Sequence, residues 1–540
     1  MSLPSCVPSV FSPDLFSFDV LAIEASVVEN YSFSVPSTHR FVQPSIELTN
    51  ATFCNVTVTY THLGENDRVG VEAWLPPPES WNERLEGVGG GGWGAGRFFL
   101  SYGTMAGALA EGFATVTTDA GYQDQNSPEN WVISSPGHVN LPLIDNFAHR
   151  ALGDAAFIGK SIVQQFYGRA PSYSYFNGCS QGGRQGYALA QRYPTAYDGI
   201  AASAPALYLP ELASNLYWPQ QYMNDIDYYP YGCEIDAIVL AAVSRCDDLD
   251  GVSDGIISDV DKCFATFDPF ELVGQSTNCS ETGSSITISS GAAKVVEASW
   301  VGMAAADGKL WHGFRPGADL SGNLESLMQG VGMAKTNCTR GVCTGSPDTL
   351  AVSWFRAFLA KDPSFDVSKM TESDFQHFVR LAKQEYSNLF GTNNPDLSRF
   401  HDAGGKLVSF HGLADQMLPD QGTRDYYDNV VQSLPDVHDF YRYFPVPGVA
   451  HCFGGKGGSP LNLFQQLRAW VENGTAPEDS PVSFTDDSGV THNRIVCPYP
   501  QEANYDASCG APADRVCWSC GLSQDQPGEE ESTKPPNEEL

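Results

Sequence analysis

In its first half the chain reads Tyr173-Ser-Tyr-Phe-Asn-Gly-Cys-Ser-Gln-Gly-Gly-Arg184, and our prediction of the fold starts from these residues. Their centre, Gly178 to Gly182, matches G-x-S-x-G, the nucleophile elbow in which a serine occupies a sharp turn between a strand and a helix. The residues before the motif have a strand-like pattern and those after it a helical one, as an elbow requires. So tight a turn needs glycines, because it leaves no room for side chains beside the serine. We therefore predict Ser180 as a nucleophile and the N–H group of Gln181 as an oxyanion donor.

Strand-like and helical patterns alternate on both sides of the elbow. Residues 69–75, 112–118 and 405–410 are strand candidates, whereas residues 146–166 and 183–192 have helical periodicity. Such alternation predicts a mostly parallel sheet flanked by helices. Together with the elbow, it predicts the α/β class and, within it, an α/β-hydrolase fold.

The pattern changes after about Pro205. Residues 207–400 contain aromatic clusters, an acidic loop and six of the cysteines. We interpret this as a hydrolase sheet that is interrupted by a large inserted lid. The last residues are rich in Pro, Glu, Ser and Gln, a composition typical of disorder. The predicted organisation is a discontinuous catalytic domain at 1–206 and 401–520, a lid domain at 207–400 and a disordered acidic tail at 521–540.

An acid and a base are expected downstream of the serine, in the chain order serine, acid, base. Asp415 follows the strand-like residues 406–410, and His451 follows a Pro-Gly turn in a later loop. His411 is a rival base and Asp420 a rival acid. The order and spacing favour Asp415 and His451, because the acid stands at a strand end and the base in a later loop.

Two cysteines stand directly beside the predicted catalytic residues: Cys179 precedes Ser180, and Cys452 follows His451. If the serine and the histidine meet in the fold, these cysteines are close enough to form a disulfide. Closing so long a loop contributes about 5 kcal/mol in the chain-entropy model, and the bridge would also fix the nucleophile turn to the loop of the base. Two unrelated cysteines in these positions are improbable, so the pair supports both assignments.

The composition restricts the compartment and the partners. The 540 residues carry a formal net charge of −34, which would repel nucleic acid and acidic membrane surfaces, and no apolar run is long enough for a membrane span. Fourteen cysteines together with six N-glycosylation acceptors are typical of a secreted, extracellular protein. The first residues lack the basic and apolar segments of a signal peptide, so we expect the start of a mature or recombinant chain. The acceptors are Asn30, Asn50, Asn55, Asn278, Asn337 and Asn473.

The paired motifs Gly178-Cys-Ser-Gln-Gly-Gly-Arg184 and His451-Cys452, with Asp415 between them, resemble those of the fungal and bacterial tannase and feruloyl esterase family. The resemblance extends from about Cys54 to about Cys497. It implies an α/β-hydrolase fold with a lid and the hydrolysis of phenolic carboxylic esters. The residues without a counterpart in this pattern are Cys509, Cys517, Cys520 and the acidic tail.

A second oxyanion donor is expected from the glycine run Gly89 to Gly92. This run stands where the resembling family has its oxyanion loop, after a strand-like stretch. Glycine lets the backbone approach a reacting carbonyl closely, and we choose Gly91 as the donor.

The acidic loop after Cys246 alternates carboxylates with backbone carbonyls, the hard oxygen ligands that calcium prefers. The loop departs from the EF-hand pattern. Calcium bound there would stiffen the lid without taking part in the reaction. The resemblance implies a structural calcium site closed by a Cys246–Cys263 disulfide. Cys6–Cys54 and Cys338–Cys343 are plausible further bridges, and the other connectivities stay open. The predicted calcium ligands are Asp247, Asp250, Val252, Asp254 and Ile256.

The predicted function is a serine carboxylesterase that releases hydroxycinnamic acids from plant cell-wall polysaccharides, that is, a feruloyl esterase. The substrate would be a small phenolic ester or a feruloylated oligosaccharide. A tannase acting on gallate esters and a general carboxylesterase are alternatives, as is a catalytically silent, calcium-stabilised carbohydrate-binding protein. The sequence alone does not separate feruloyl from galloyl esters. Aromatic residues expected to help form a pocket for the phenolic ring are Tyr208, Tyr217, Trp218 and Tyr228.

Overall fold

The computed structural model describes residues 5–13, 18–122, 124–305, 308–324 and 330–522. One sheet of nine strands crosses the molecule. In chain order its strands are β1 (Phe18–Val35), β2 (Ile46–His62), β3 (Val69–Leu75), β4 (Arg84–Val88), β5 (Ala114–Thr118), β6 (Tyr173–Cys179), β7 (Gly199–Ser203), β8 (Lys406–Gly412) and β9 (Tyr441–Val446). Their spatial order is β1-β2-β3-β5-β4-β6-β7-β8-β9.

Six neighbouring strands, β5, β4, β6, β7, β8 and β9, run parallel, and β1 to β3 extend the sheet by antiparallel pairing. The register pairs Phe176 with Ile200 and Cys179 with Ser203, so β6 and β7 end level with each other. The carboxyl ends of parallel strands lie at one edge of a sheet. The turns that follow β6, β8 and β9 therefore share that edge, and these turns carry the three predicted catalytic residues.

Five helices cover the two faces of the sheet: α1 (Phe99–Ala110), α2 (Ala151–Tyr167), α3 (Gln181–Arg192), α4 (Gln421–Ser433) and α5 (Leu463–Asn473). Successive residues of a strand point to opposite faces. Tyr175 accordingly lies in a core with α1 and α5, whereas Phe176 lies in a core with α2, α3 and α4. The class is α/β with three layers, as the alternating pattern predicts.

The helix predicted at 146–166 begins differently from the expectation. A π-helical turn, Asn146–Arg150, precedes α2. The buried guanidinium of Arg184 donates to the carbonyls of Phe147 and Ala148 at 3.2 and 2.9 Å. These bonds satisfy carbonyls of the wide turn, a tertiary contact that helical periodicity does not reveal.

Residues 204–405, here called the inserted segment, connect β7 to β8, and none of its described residues joins the central sheet. The predicted lid at 207–400 falls within this segment, and its division from the catalytic domain stays a prediction. Of the predicted tail, Gly521 ends a strand, Trp518–Gly521, and residues 523–540 lie outside the described residues. The helices of seven or more residues in the inserted segment are Leu209–Asn215, Trp218–Asp225, Gly232–Cys246, Val260–Thr266, Ser290–Val301 and Glu372–Phe390.

The remaining elements are short. Helical turns are Glu129–Val132, Leu141–Asp145, Thr349–Ser353, Trp354–Leu359 and Ser398–Asp402. Two-stranded pairs in or before the inserted segment are Ile133–Ser135 with His138–Val139, Ser276–Cys279 with Ser284–Thr287, Ala304–Ala305 with Gly308–Lys309, and Thr336–Thr339 with Val342–Gly345. Two pairs follow α5, namely Ser480–Thr485 with Thr491–Val496 and Glu502–Tyr505 with Trp518–Gly521.

All fourteen cysteines form disulfides. The four predicted bridges are confirmed: Cys6–Cys54, Cys179–Cys452, Cys246–Cys263 and Cys338–Cys343. The bridges that the sequence left open are Cys233–Cys279, Cys497–Cys520 and Cys509–Cys517. The cysteines without a family counterpart thus close the loops around the last strand pair.

A carboxyl group lies in the core beneath the catalytic edge. Glu86 of β4 is fully buried, and Asn177 donates to its Oε1 over a long 3.4 Å. Its Oε2 has no hydrogen-bond partner among the described residues, and neither has Oδ1 of Asn177. Burial, and then the charge of Glu111, raise the pKa of Glu86 to about 8. The protonated form is therefore the one that the fold favours at neutral pH.

Replacing Glu86 by glutamine should stabilise the protein increasingly as the pH rises. A carboxyl whose pKa is raised by folding stabilises the fold below its unfolded pKa, near 4.3, and loses that contribution as the pH rises towards 8. Each pKa unit corresponds to about 1.4 kcal/mol, and an amide does not ionise. We expect the Tm of Glu86→Gln to exceed that of the wild type clearly at pH 8.5 and much less at pH 5. The exposed Glu24→Gln on β1 is the control, and an equal Tm difference at both pH values would contradict this account.

Candidate active site

Ser180 occupies the turn between β6 and α3. Its φ of 63° and ψ of −120° are strained for a residue with a side chain, at a cost of about 1–3 kcal/mol that the surroundings must offset. The N–H group of Ser180 donates to the carbonyl of Ser203 at the end of β7, 3.0 Å away. A Cβ atom on Gly178 would lie 2.7 Å from the backbone of Gly182, so glycine is required there. The turn has the geometry of a nucleophile elbow.

The glycine loop packs directly against this elbow. A Cβ on Gly182 would lie 2.8 Å from the carbonyl oxygen of Gly90, so the two backbones touch. Gln185 of α3 fixes the loop, because its Oε1 accepts from Gly90 N–H and its Nε2 donates to the Ala95 carbonyl, each at 2.8 Å. The loop predicted to supply the second oxyanion donor therefore lies beside the helix that Ser180 begins.

The backbone N–H groups near the serine differ in what they already bind. Gln181 is the first residue of α3, where an N–H group has no acceptor within the helix. The Gly91 N–H donates to the Gly94 carbonyl at 3.1 Å, so this predicted donor is used within its own loop. Among the described residues, the next N–H along the loop, that of Gly92, has no recorded acceptor. A run of identical residues does not show which of its N–H groups lacks an acceptor, so Gly91 as the donor stays a prediction.

Asp415 follows β8 and is almost completely buried. Its Oδ1 accepts the backbone N–H groups of Met417 and Leu418 at 2.8 and 2.7 Å. Its Oδ2 accepts from Nδ1 of His451 at 2.8 Å. Burial alone would raise the pKa of Asp415, but His451, His411 and these hydrogen bonds together hold that pKa well below its ordinary value. The carboxylate is therefore an anion throughout the working pH range.

His451 lies in the loop after β9. Its backbone N–H donates to Oε1 of Gln416 at 3.1 Å, and its Nδ1–H faces Asp415, which leaves Nε2 as the basic nitrogen. The Cys179–Cys452 bridge holds the Cα atoms of its two cysteines 5.9 Å apart. The structure thus brings all three predicted residues to one edge of the sheet and links the elbow covalently to the loop of the histidine.

The two rival residues lie near the site but are bound elsewhere. Asp420 accepts from Nε of Arg315 at 2.7 Å, so it pairs with the inserted segment. The ring of His411 contacts Thr423 through Nδ1 at 2.8 Å and Asp415 through Nε2 at 3.2 Å. Neither rival is in a position to replace the predicted acid or base, yet His411 contacts the acid. The sequence suggested His411 only as a competitor and missed this contact.

The aromatic residues expected around the phenolic ring have different environments. Tyr217 and Trp218 are buried inside the inserted segment, where the Tyr217 hydroxyl donates to the Val367 carbonyl and the Trp218 indole to that of Ala298. They pack the core of that segment. Tyr208 is half-buried against Trp311 and Tyr228 bonds to Ser289, so a role in a pocket stays a prediction for these two.

The predicted calcium loop belongs to the inserted segment and contacts a C-terminal strand, Thr491–Val496, through Arg494. Oδ1 of Asp247 accepts the N–H groups of Asp254 and Gly255, both at 2.8 Å. Oδ2 atoms of Asp250 and Asp254 are buried and lack a hydrogen bond among the described residues, although Arg494 contacts Asp254. The guanidinium of Arg494 contacts the carboxylates of both Asp250 and Asp254. The carbonyls of Val252 and Ile256 lie in the same loop.

Comparison with known proteins identifies the family. The family model for tannase and feruloyl esterase matches residues 54–515. The chain belongs to the tannase and feruloyl esterase family. A probable feruloyl esterase of Arthroderma benhamiae is 39% identical over 477 residues, covering 86% of this chain and 84% of that protein. A tannase of Aspergillus oryzae is 29% identical, over 89% of this chain and 86% of its own length.

Two solved structures resemble the whole chain. The tannin acyl hydrolase from Aspergillus niger superimposes with a TM-score of 0.84 at 26% identity, covering 97% of both chains. Feruloyl esterase B from Aspergillus oryzae gives 0.75 at 25% identity, covering 94% of this chain and 97% of that one. These findings confirm the predicted family and the α/β-hydrolase fold. This member of the tannase and feruloyl esterase family is a carboxylic ester hydrolase, and the elbow geometry at Ser180 is consistent with a serine nucleophile.

Removing the bridge beside the triad should impair this esterase more in turnover than in binding. Without the covalent link, the elbow and the histidine loop can separate, and a misplacement near 1 Å costs about 10²-fold in rate. We expect the double variant Cys179→Ala/Cys452→Ala to lose about that factor in kcat with little change in KM, measured on a chromogenic ester. The matched control is Cys338→Ala/Cys343→Ala, which opens a bridge in a remote hairpin. An unchanged kcat, or free thiols at positions 179 and 452 in the wild type, would contradict the assignment.

Proposed function

We propose that this chain is a secreted feruloyl esterase in which Ser180, His451 and Asp415 form the catalytic triad. His451 Nε2 takes the proton of the Ser180 hydroxyl as its oxygen attacks the ester carbonyl, while Asp415 orients the imidazole and stabilises its cation. The imidazolium then protonates the leaving alcohol, and an acyl-enzyme remains. Water, activated by the same histidine, releases the acid and restores the serine.

Charge on the substrate oxygen is stabilised by backbone donors in this proposal. The N–H of Gln181 is free because it begins α3, and the helix N-terminus adds a positive potential. The second donor comes from the glycine loop. The Gly91 N–H serves only if its bond to Gly94 is shared, whereas the Gly92 N–H is available without rearrangement. Geometry therefore supports Gly92 beside the sequence-predicted Gly91.

The preference for feruloyl esters is supported by the apolar surroundings of the catalytic turn. Phe41 and Phe453 pack around the Cys179–Cys452 bridge. Where side chains would begin on Gly91 and Gly92, the nearest atoms belong to Phe98 at 3.0 Å and Leu350 at 3.2 Å. A galloyl ring carries several hydroxyls, and burying one without a partner costs about 1–3 kcal/mol. A feruloyl group, with a methoxy group and a vinyl spacer, suits such walls better.

Tannase activity is the second candidate. Its support is the superposition on the tannin acyl hydrolase from Aspergillus niger, which has the higher TM-score of the two structures described. Against it stands the greater identity to a protein named as a probable feruloyl esterase. Both activities use the same triad, so the choice between them depends on the groups that surround the acyl part of the substrate.

Secretion is supported by the covalent chemistry of the chain. Seven disulfides require an oxidising compartment. Five of the six glycosylation acceptors are exposed, and Asn55 is half-buried on β2. Within the described ranges, no helix is both long and apolar enough to span a membrane. We expect an extracellular enzyme that acts on feruloylated oligosaccharides from plant cell walls.

A structural calcium ion is part of the same proposal. Two carboxylates of the loop, those of Asp250 and Asp254, contact a single guanidinium, that of Arg494, so one positive charge faces two negative ones. Buried carboxylates without pairing are costly, and a divalent cation would balance them. The Oδ2 atoms of Asp250 and Asp254 lack a hydrogen bond among the described residues and would bind it, together with a carbonyl of the loop, such as that of Val252. The residues present therefore fit calcium, which would join the inserted segment to the C-terminal strands.

The substrate proposal predicts a clear kinetic preference. We expect kcat/KM for methyl ferulate to exceed that for methyl gallate by about tenfold or more, because each unpaired hydroxyl costs about 1–3 kcal/mol. Ser180→Ala should lose a factor on the order of 10⁴ or more with both esters. A preference for methyl gallate would establish the tannase alternative. If kcat/KM of Ser180→Ala stayed within tenfold of the wild-type value, the triad assignment would be wrong.

Calcium removal should lower stability without removing a catalytic group. A ligand present at a thousand times its Kd stabilises a fold by about 4 kcal/mol, so EDTA should lower the Tm while kcat at a low temperature is retained. Elemental analysis of undialysed protein should find calcium bound. Asp254→Asn should abolish the response to EDTA, whereas Asp362→Asn, which changes an aspartate in an exposed turn, should keep it. Calcium-free protein with an unchanged melting curve in EDTA would contradict the site.

A further inference from the structure

The carboxylate of Asp415 is shared by two histidines. Its Oδ2 accepts from Nδ1 of His451 at 2.8 Å, and Nε2 of His411 lies 3.2 Å from the same atom. Both rings and the carboxylate are buried. With the two backbone N–H groups on Oδ1, three donors bind the anion, and His411 adds a polar contact from a side chain outside the triad.

The contacts of His411 fix its tautomer. Its Nε2 lies 3.0 Å from the Leu418 carbonyl, an oxygen that can only accept, so Nε2 carries a proton. The same nitrogen lies 3.2 Å from Oδ2 of Asp415. The Nδ1 atom then accepts from the hydroxyl of Thr423, 2.8 Å away. Both ring nitrogens of His411 are thus hydrogen-bonded, and Nε2 also contacts the acid.

Thr423 connects this ring to the first turn of α4. Its backbone N–H donates to the carbonyl of Asp420, which precedes the helix. The side chain of Asp420 is held in turn by Arg315 of the inserted segment at 2.7 Å. His411 is consequently fixed at both nitrogens by groups that belong to different elements.

We propose that His411 is a positioning residue, which holds Oδ2 of Asp415 against His451 and withdraws part of the negative charge from that oxygen. This inference rests on the proposed triad and adds to it. The charge shared with His411 is not available to stabilise the His451 cation. His411 therefore limits how strongly Asp415 attracts the imidazolium that forms during the reaction.

The proposal predicts an effect on turnover and on the pH profile. In His411→Leu, Asp415 loses its contact with Nε2, and its carboxylate can move away from His451. We therefore expect kcat to fall by about 10- to 100-fold with little change in KM. The stronger negative charge on Oδ2 should favour the cation of the catalytic base, and the acidic limb of kcat/KM should move to higher pH. The other groups bonded to His411, the Leu418 carbonyl and the Thr423 hydroxyl, are neutral, so Asp415 is the charged group that faces its ring within the described residues.

Two further variants separate hydrogen bonding from packing. His411→Gln places an amide N–H near the position of Nε2 and should recover most of the lost kcat. Thr423→Val removes the hydroxyl while preserving shape, and it should move kcat and the acidic limb in the same direction as His411→Leu, by a smaller factor. If His411→Leu does not fold, these two variants carry the test.

The control is another buried histidine bonded to a carboxylate. His492 contacts Oδ2 of Asp486 at 2.8 Å, away from the triad loops. His492→Leu should lower the Tm and leave the pH profile unmoved. The proposal is overturned if folded His411→Leu keeps kcat within threefold and an unmoved acidic limb, or if glutamine at 411 is as damaging as leucine.

Asp415→Asn, assayed in parallel, distinguishes this inference from the proposed function. If Asp415→Asn retains turnover, the proposed triad fails and the role of His411 fails with it. If Asp415→Asn loses turnover while His411→Leu does not, the triad stands and only the positioning role is wrong.

Discussion

The strained turn at Ser180 is the constraint on which the surrounding structure depends. This residue has a side chain and yet a φ of 63°, a strained conformation that persists only because contacts with the surrounding residues hold it. Glycines at 178 and 182 let the helix and the glycine loop close over it, Ser203 accepts its N–H, and a disulfide anchors the residue before it. The same contacts set the position of the proposed oxyanion donors, so the stability of the turn and its proposed chemistry depend on the same residues.

Two buried carboxylates near Ser180 are stabilised by hydrogen-bond donors or by a counter-ion from another element. Asp415 is surrounded by N–H groups, and Asp420 is paired with Arg315. Glu86 differs from them, since burial and Glu111 raise its pKa and the fold favours its neutral form. In the predicted calcium loop two carboxylates contact one guanidinium, so negative charge is in excess. This excess is the reason to expect a metal ion there.

The sequence was most informative where the chemistry is local. The elbow motif, a run of adjacent residues, predicted the fold. The cysteines at 179 and 452, each adjacent to a predicted catalytic residue, predicted a bridge that is confirmed. Contacts between distant segments were not predictable. Nothing in the pattern around Arg494 indicates that it meets Asp254, or that His411 contacts Asp415 instead of competing with His451. Burial of Tyr217 likewise depends on helices far along the chain.

The place at which the inserted segment leaves the sheet explains how one triad can serve different esters. The segment begins directly after β7, where the Ala206 N–H donates to the Ser180 carbonyl and the Ala204 N–H to that of Phe410. Its first residues are therefore bonded to the turn of Ser180 and to the end of β8. Leu350, which faces the glycine loop, comes from this segment. Because substitutions there alter the surroundings of the acyl group without moving the serine, the acid or the base, a family with this arrangement can contain both tannases and feruloyl esterases.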